Sequence, residues 1–209
     1  MGDIVITNTQ AEHIPQLVEL QIVCYPTLAD MSRLKAPHFE THVHIFPEGQ
    51  WVALDGARVV GMSAGFRLTF DFNQPHHTFD EIIGYGYFTH HDPHGQHFYG
   101  ADVSVHPDYR RRGISRRLYD ARKDFVRRHG LRGIVAGAML PGFAQHKSKL
   151  DGPTYVARVV AGELFDPTLS VQLRQGFRVR GLLPNYLPDT ASDGWAALIE
   201  WVPSPEERA

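Results

Sequence analysis

The chain has 209 residues, a formal net charge of −2, 43% hydrophobic residues and 21% charged residues, a composition typical of a globular domain and not of a disordered segment. The near-neutral charge argues against a protein coated in positive charge for nucleic acid, although one local basic patch is compatible with it. Cys24 is the single cysteine, which excludes an internal disulfide and disfavours a cysteine-based metal site, and no apolar run reaches the roughly 18 residues of a membrane span.

The first half of the chain predicts strands that alternate with helices. A β-branched run over residues 3–7 indicates a first strand, and Thr9 is in position to cap a helix that ends near residue 25. A shorter helix is predicted over 36–46, followed by a hairpin with its turn near Asp55-Gly56. The segment 71–96 is polar, rich in histidine and glycine, and predicted to be irregular.

The second half continues the alternation. The predicted elements are a strand over 97–105, a helix from 113 to about 129, a strand over 133–139, two helical segments, and two closing strands. Asp166 suits the N-cap of the second helical segment, Pro167 its first position, and Gly176 its left-handed stop. No repeat or long linker divides the chain, so this order predicts one α/β layer structure.

The stretch YRRRGISRRL, residues 109–118, concentrates five arginines around Gly113. A nucleic-acid-binding helix, a solvated helix face and a phosphate-binding helix start all fit such a pattern. The apolar stripe Ile114, Leu118, Ala121 and Phe125 predicts a buried helix face. Backbone N–H groups at a helix start lack intrahelical partners and attract anions, and Gly113 leaves room for a phosphate. We therefore favour a pyrophosphate over DNA as the partner of this stretch.

A family resemblance rests on these residues. VSVHPDYRRRGISRRLYDARKDF resembles the acetyl-CoA-binding motif of the GNAT superfamily of N-acetyltransferases, Arg/Gln-x-x-Gly-x-Gly/Ala, with Arg110, Gly113 and Ser115 at the three motif positions. Serine at the last position departs mildly from the pattern. LRQGF, residues 173–177, resembles the later helix-to-strand signature. ELFDPTLSVQLRQGFRVRG is similar to GNAT domains that are fused to nitrilase-like carbon–nitrogen hydrolases.

The resemblance implies a fold and a domain organisation. The fold is the α/β (α+β) GNAT acyl-CoA N-acyltransferase fold, a central mixed, mostly antiparallel sheet flanked by helices. Residues 1–209 are expected to form a single GNAT N-acetyltransferase domain, and no hydrolase domain is expected because the sequence stops at Ala209.

The resemblance also implies acetyl-CoA as cosubstrate. The amides of 111–115 would hold the CoA pyrophosphate, and strand residues 103–105 would pair with the pantetheine arm. One backbone N–H near Val105 would polarise the thioester carbonyl, while the arginines either contact phosphate or form a solvated face. The implied CoA-binding residues are Val103, Ser104, Val105, Arg110, Arg111, Arg112, Gly113, Ile114, Ser115 and Arg116.

The implied chemistry is direct transfer of the acyl group from the thioester to a deprotonated amine. Many family members carry a tyrosine acid four residues before the Gly-Phe pair, where this chain has Gln172, and Tyr155 or Tyr186 are the available substitutes. The candidate catalytic residues are His97, Tyr99, Asp102 and Tyr186, with Tyr99 where some members place a glutamate base. Strand alternation predicts His97, Tyr99, Ala101, Val103 and Val105 on one face, and Asp102 and Ser104 on the other.

The expected partner is a primary amine on a small molecule or peptide, without nucleic acid or membrane. HHDPHGQH, residues 90–97, superficially resembles a metal cluster, but nothing else marks a zinc site, so no metal is expected. We expect a cytoplasmic protein, and a homodimer stays open. Two alternatives remain: a catalytically weak CoA-binding regulatory module of the same fold, and a nucleic-acid binder that uses the arginine helix, against which the neutral overall charge counts.

Overall fold

Seven strands form one mixed sheet in the part of the chain that the computed structural model describes, residues 3–28 and 30–208. The sheet order is β1-β2-β3-β4-β5-β7-β6, and every neighbouring pair is antiparallel except β4 with β5. This architecture confirms the expected fold class. The strands are β1 (Ile4–Asn8), β2 (Trp51–Asp55), β3 (Arg58–Leu68), β4 (His97–Val105), β5 (Gly133–Met139), β6 (Arg178–Leu183) and β7 (Ala196–Trp201).

Six α-helices accompany the sheet in the described residues: α1 (Ile14–Cys24), α2 (Ala36–Ile45), α3 (Phe79–Ile82), α4 (Ile114–Arg128), α5 (Gly152–Val160) and α6 (Leu169–Arg174). The predicted stripe of α4 is confirmed, because Ile114, Leu118 and Phe125 are buried and Ala121 packs against the core. None of the described helices combines the length and apolar character that crossing a membrane requires.

The helices differ from the prediction in some details. Thr9 does not cap α1, because a short 3-10 turn (Ala11–His13) capped by Gln10 precedes that helix. The segment predicted as irregular contains α3, which Thr78 caps by accepting a hydrogen bond from the Glu81 amide. At α6 the predicted left-handed stop is confirmed, since Gly176 has φ +86°. The predicted start is two residues early, because α6 begins at Leu169 with Thr168 as its N-cap residue, and Pro167 precedes it. The Asp166 carboxylate still accepts from the Thr168 and Leu169 amides.

Helices cover both faces of the sheet. Gln21 of α1 donates to the Met62 sulfur of β3 (3.6 Å), whereas Arg122 of α4 donates to the Ser63 hydroxyl (2.6 Å). Neighbouring residues of a strand point to opposite faces. The α1–α2 layer and α4 therefore lie on opposite sides of β3.

A β-bulge at Ala101 overturns the predicted facing of β4. The register pairs Tyr99 with Phe66 but Asp102 with Ala64, so β4 has one residue more than β3 across this interval. Phe66 and Ala64 share a face because they are two residues apart. Tyr99 and Asp102 therefore lie on the same face, and the prediction that placed them on opposite faces is wrong.

Arg122 holds this bulge from the opposite side of the sheet. Its guanidinium is buried and donates to the carbonyls of Ala64 (2.7 Å) and Asp102, in addition to the Ser63 hydroxyl. Burial lowers the pKa of Arg122 to about 10, so the side chain keeps its charge at neutral pH. A Cβ on Gly100 would lie 2.5 Å from this guanidinium, which explains the glycine beside the bulge.

His42 of α2 makes the stability of the fold depend on pH. Its ring stacks on Phe88 at 3.6 Å, Nε2 donates to the Gly86 carbonyl (2.6 Å), and burial lowers its pKa to about 3. The unfolded chain takes up this proton near pH 6.5, and the folded chain only near pH 3. The contribution of His42 to stability is therefore complete above pH 6.5 and is lost as the pH falls towards 3.

We expect the advantage of the wild type over His42→Gln, measured as the urea-unfolding free energy, to shrink by about 3 kcal/mol between pH 7 and pH 4. His44→Gln, at an exposed position of the same helix, is the matched control and should keep a constant difference from the wild type. A pH-independent difference for His42→Gln would contradict this assignment.

Candidate functional site

Strands β4 and β5 separate part-way along their length. They pair in parallel only at His97–Gly133, Phe98–Ile134 and Tyr99–Val135. Beyond those pairs β4 stays bound to β3 as far as Val105, and β5 stays bound to β7 as far as Met139. The two strands therefore leave a split in the sheet, whose two edges carry backbone groups that the sheet does not pair.

Three hydrogen-bonded side chains lie at the apex of this split. The Tyr99 hydroxyl is 3.0 Å from the Tyr186 hydroxyl and 2.8 Å from His77 Nε2. Gly137, on the unpaired stretch of β5, packs directly against the ring of Tyr186, since a Cβ there would approach ring atoms to 2.2 Å. Burial raises the pKa of Tyr99 and of Tyr186 above the usual value for tyrosine, so both hydroxyls stay protonated at neutral pH.

Asp102 lies past the apex on the same face of β4. Its carboxylate accepts hydrogen bonds from the Tyr25 hydroxyl (2.5 Å) and the Gln21 amide (2.6 Å), and burial raises its pKa. Cys24 is close enough for the Asp102 charge to act on it, and burial raises the pKa of its thiol to about 11. Both donors belong to the end of α1, so Asp102 fastens that end to the split.

His97 occupies the paired end of β4, away from the open part of the split. Its Nδ1 accepts a hydrogen bond from the Phe70 amide (3.2 Å), and its ring makes an edge contact with Phe72. Burial lowers the pKa of His97, and the nearby Arg132 charge adds to the effect. The structure therefore places Tyr99, Tyr186 and Asp102 around the open split and leaves His97 outside it.

Tyr119 and Gln172 meet on the α4 side of the sheet. The Gln172 amide donates to the Tyr119 hydroxyl (3.1 Å), and Tyr119 packs edge-on against Phe177. Burial raises the pKa of Tyr119, and the Asp102 charge acts in the same direction. Gln172 Oε1 is buried and accepts no hydrogen bond within the described residues.

Tyr155 is the other tyrosine that the sequence offers as a substitute acid, but its hydroxyl donates to a different group. Its hydroxyl donates to the Asp166 carboxylate (2.9 Å), which also accepts from the Gly142 amide. The Tyr155 proton is thus used in the cap that precedes α6.

The loop before α4 leaves a run of amides without backbone partners. Gly113 has φ +75° and Arg111 has φ +61°. The Arg117 amide is the first in α4 to reach a carbonyl, that of Gly113. Among the described residues, the amides of Arg111 and of 113–116 donate to no backbone oxygen. A helix N-terminus with such amides attracts an anion.

Most arginines of this stretch hold the loop and its neighbours in place. Arg112 stacks on the Tyr109 ring, with its guanidinium carbon 4.6 Å from the ring centre. Arg111 is exposed at the turn itself. The polar contacts are Arg110 with the Val105 carbonyl (3.3 Å), Arg112 with the Asp108 carbonyl (2.9 Å), Arg116 with the Asp120 carboxylate (4.0 Å) and Arg117 with the Ile4 carbonyl (2.7 Å).

The histidine-rich segment forms no metal site where the structure describes it. Across residues 3–28 and 30–208, no three His, Cys, Asp or Glu side chains converge to hold an ion. His91 Nδ1 instead accepts from the Arg67 amide (3.3 Å), as His97 does from Phe70.

Comparison with known proteins decides the family. The sequence profile described as "Acetyltransferase (GNAT) family" matches residues 14–147. The chain belongs to the GNAT acetyltransferase family. A Bacillus subtilis (strain 168) protein named "Uncharacterized N-acetyltransferase YkwB" is 30% identical to this GNAT chain over 197 residues, which cover 94% of this chain and 87% of that protein.

A second relative is much longer than this GNAT chain. "Probable hydrolase YhcX" of B. subtilis (strain 168) is 39% identical over 198 residues, which are 94% of this chain and 38% of that protein. The chain thus spans little more than a third of that relative.

Solved structures share the GNAT fold along nearly the whole chain. "GphF GNAT-like decarboxylase in complex with isobutyryl-CoA" superposes with a TM-score of 0.78 at 21% identity, covering 95% of this chain and 98% of that one. The loading GNATL domain of CurA from Lyngbya majuscula gives 0.79 at 18%, covering 96% and 98%. The ribosomal-protein-S18-alanine N-acetyltransferase from Escherichia coli gives 0.59 at 10%, covering 96% and 94%. At these identities the likeness concerns the fold alone.

Proposed function

We propose that residues 1–209 act as one GNAT domain that transfers an acetyl group from acetyl-CoA to a primary amine in a ternary complex. The observation that carries this proposal is the split between β4 and β5 together with the unpaired amides at the start of α4. The unpaired backbone groups of the split can form hydrogen bonds with an extended ligand that carries amide groups, such as pantetheine. The backbone N–H groups at the start of α4 can bind a pyrophosphate.

The residues at hand fit this ligand. The amides of 111–115 would bind the pyrophosphate, with Arg111 exposed beside them at the turn. The β4 residues Val103, Ser104 and Val105 would pair with the pantetheine arm along the open edge. A backbone N–H near Val105 would then stabilise the negative charge that develops on the thioester oxygen.

The amine attacks the thioester carbon, the C–S bond breaks, and the departing thiolate needs a proton. We assign Tyr119 as the donor of that proton. Because the Tyr119 oxygen accepts from Gln172, its own O–H proton remains available for the sulfur. A raised pKa keeps that proton in place at neutral pH. Gln172 itself cannot act as an acid, so its role is to orient the tyrosine.

The decisive experiment combines binding with turnover. Calorimetric titration with CoA tests the binding site, and release of free thiol from acetyl-CoA is followed with a panel of primary amines and short peptides. Saturable CoA binding with amine-dependent thiol release supports the proposal. Tight CoA binding without turnover on any amine would favour the regulatory module, and absence of CoA binding would overturn both.

A second candidate function is decarboxylation or acyl loading on an acyl-CoA. The fold is compatible with it, because the GphF GNAT-like decarboxylase and the loading GNATL domain of CurA share this fold with TM-scores of 0.78 and 0.79. An acyl-CoA with a free carboxylate, such as malonyl-CoA, distinguishes the two functions. Loss of carbon dioxide without an amine would identify a decarboxylase.

A further inference from the structure

The hydrogen bonds at the apex of the split have a defined direction. His77 Nδ1 lies 2.7 Å from the Pro75 carbonyl, which can only accept, so Nδ1 carries the proton. In the neutral ring Nε2 then has the free lone pair and accepts from the Tyr99 hydroxyl. The Tyr99 oxygen in turn accepts from Tyr186. The order of donation is therefore Tyr186 to Tyr99 to His77.

We propose that His77 is the final acceptor of the proton that the acceptor amine loses, and that the proton reaches it through the hydroxyls of Tyr186 and Tyr99. This inference rests on the proposed function. It adds a residue from the histidine-rich segment to a site otherwise built from β4 and the chain near Tyr186, and it explains why two buried tyrosines face one another at the apex.

The proton transfers balance along the chain. The ammonium N–H bond breaks and an O–H bond forms on Tyr186, while the Tyr186 proton moves to the Tyr99 oxygen. The Tyr99 proton then moves to His77 Nε2, and the ring becomes an imidazolium that still donates to Pro75. No atom changes its oxidation state. The proton leaves the half-buried His77 for solvent before the next turnover.

The surroundings of His77 suit a proton acceptor. Burial lowers its pKa, so the ring is neutral and can accept at physiological pH. Of the charged or titratable neighbours, Glu81 of α3 raises this pKa and His76 lowers it. Tyr99 and Tyr186 are kept neutral by burial, so they pass protons on and do not act as phenolates.

The direction of the hydrogen bonds from Tyr186 to His77 can be tested without turnover. In the full chain labelled with ¹⁵N-histidine, we expect nuclear magnetic resonance to show His77 protonated at Nδ1 and hydrogen-bonded at Nε2. Tyr99→Phe should change the Nε2 shift and the titration of His77, whereas Tyr155→Phe, which also removes a buried hydroxyl, should change neither. A proton on Nε2 in the neutral ring would overturn the proposal.

Turnover tests the role of the relay. With an amine that supports thiol release, His77→Gln should lower kcat by about 10- to 100-fold, leave the KM for acetyl-CoA unchanged, and remove the acid limb of the pH–rate profile. His76→Gln, at the exposed neighbouring position, is the matched control and should retain both. Wild-type kcat and pH profile in His77→Gln would overturn the relay alone, while absence of thiol release from the wild type with every amine would overturn the proposed function.

Discussion

Replacement of Gly113 by aspartate is expected to weaken CoA binding by on the order of 100-fold, the equivalent of about 3 kcal/mol, while the fold stays intact. Gly113 has φ +75°, and a Cβ added to it meets no atom within 4 Å. Aspartate is among the residues that tolerate the left-handed region best, so the cost to folding is small. The new carboxylate, however, stands beside the unpaired amides and repels the pyrophosphate. Calorimetric titration with CoA measures the loss.

Gly130 provides the matched control for this substitution. It has φ +60°, a Cβ there is equally unobstructed, and it follows the opposite end of α4. Gly130→Asp therefore introduces the same side chain at a comparable backbone strain, and it should leave the affinity for CoA unchanged. Gly113→Asn separates charge from size and should fall between the two. Equal CoA affinity in Gly113→Asp and Gly130→Asp would contradict a pyrophosphate at this turn.

Local patterns suffice for the elements of this fold and for the turn before α4. The runs 97–105 and 133–139 are continuous and largely apolar, and both appear as strands with these bounds. Gly113 lies between a run of strand character and a helix whose apolar stripe follows helical periodicity. Such signals depend on neighbours in sequence, so a single sequence contains them.

Arg122 shows where local patterns fail. It stands among ten basic residues between positions 109 and 132, where a solvated face is the natural prediction, yet it is fully buried. Its guanidinium lies beside the bulge at Ala101, where the carbonyls of Ala64 and Asp102 accept its hydrogen bonds. The sequence pattern does not indicate this extra residue. Regular strand alternation, which ignores the bulge, places Tyr99 and Asp102 on opposite faces.

The relay at the apex has the same origin. Tyr99 and Tyr186 are separated by 87 positions in sequence, and His77 precedes Tyr99 by 22. Sequence reasoning included both tyrosines as candidates but missed His77, because its place depends on the path of the long β3–β4 connection. The direction of the hydrogen bonds is set by the contact of His77 Nδ1 with the Pro75 carbonyl, which the sequence pattern does not indicate.

Replacement of Tyr119 by phenylalanine is expected to lower kcat by about 100-fold and to leave the affinity for CoA within about twofold. The substitution removes the proposed donor of the thiolate proton and keeps the ring that packs on Phe177. Tyr155→Phe also removes a buried hydroxyl hydrogen bond, to Asp166, and should retain wild-type kcat. Thermal unfolding of both variants confirms that the comparison is made between folded proteins.

Rescue distinguishes an acid from a structural hydroxyl. Gln172→Tyr places a hydroxyl at the position where many family members carry their tyrosine, on the opposite side of the same contact. In the Tyr119→Phe background it should recover about tenfold in kcat, because a proton donor returns beside the sulfur. If Tyr119→Phe turns over like the wild type, the donor lies elsewhere. If Tyr119→Phe has a low kcat and Gln172→Tyr does not restore it, the Tyr119 hydroxyl has a structural role and is not the acid.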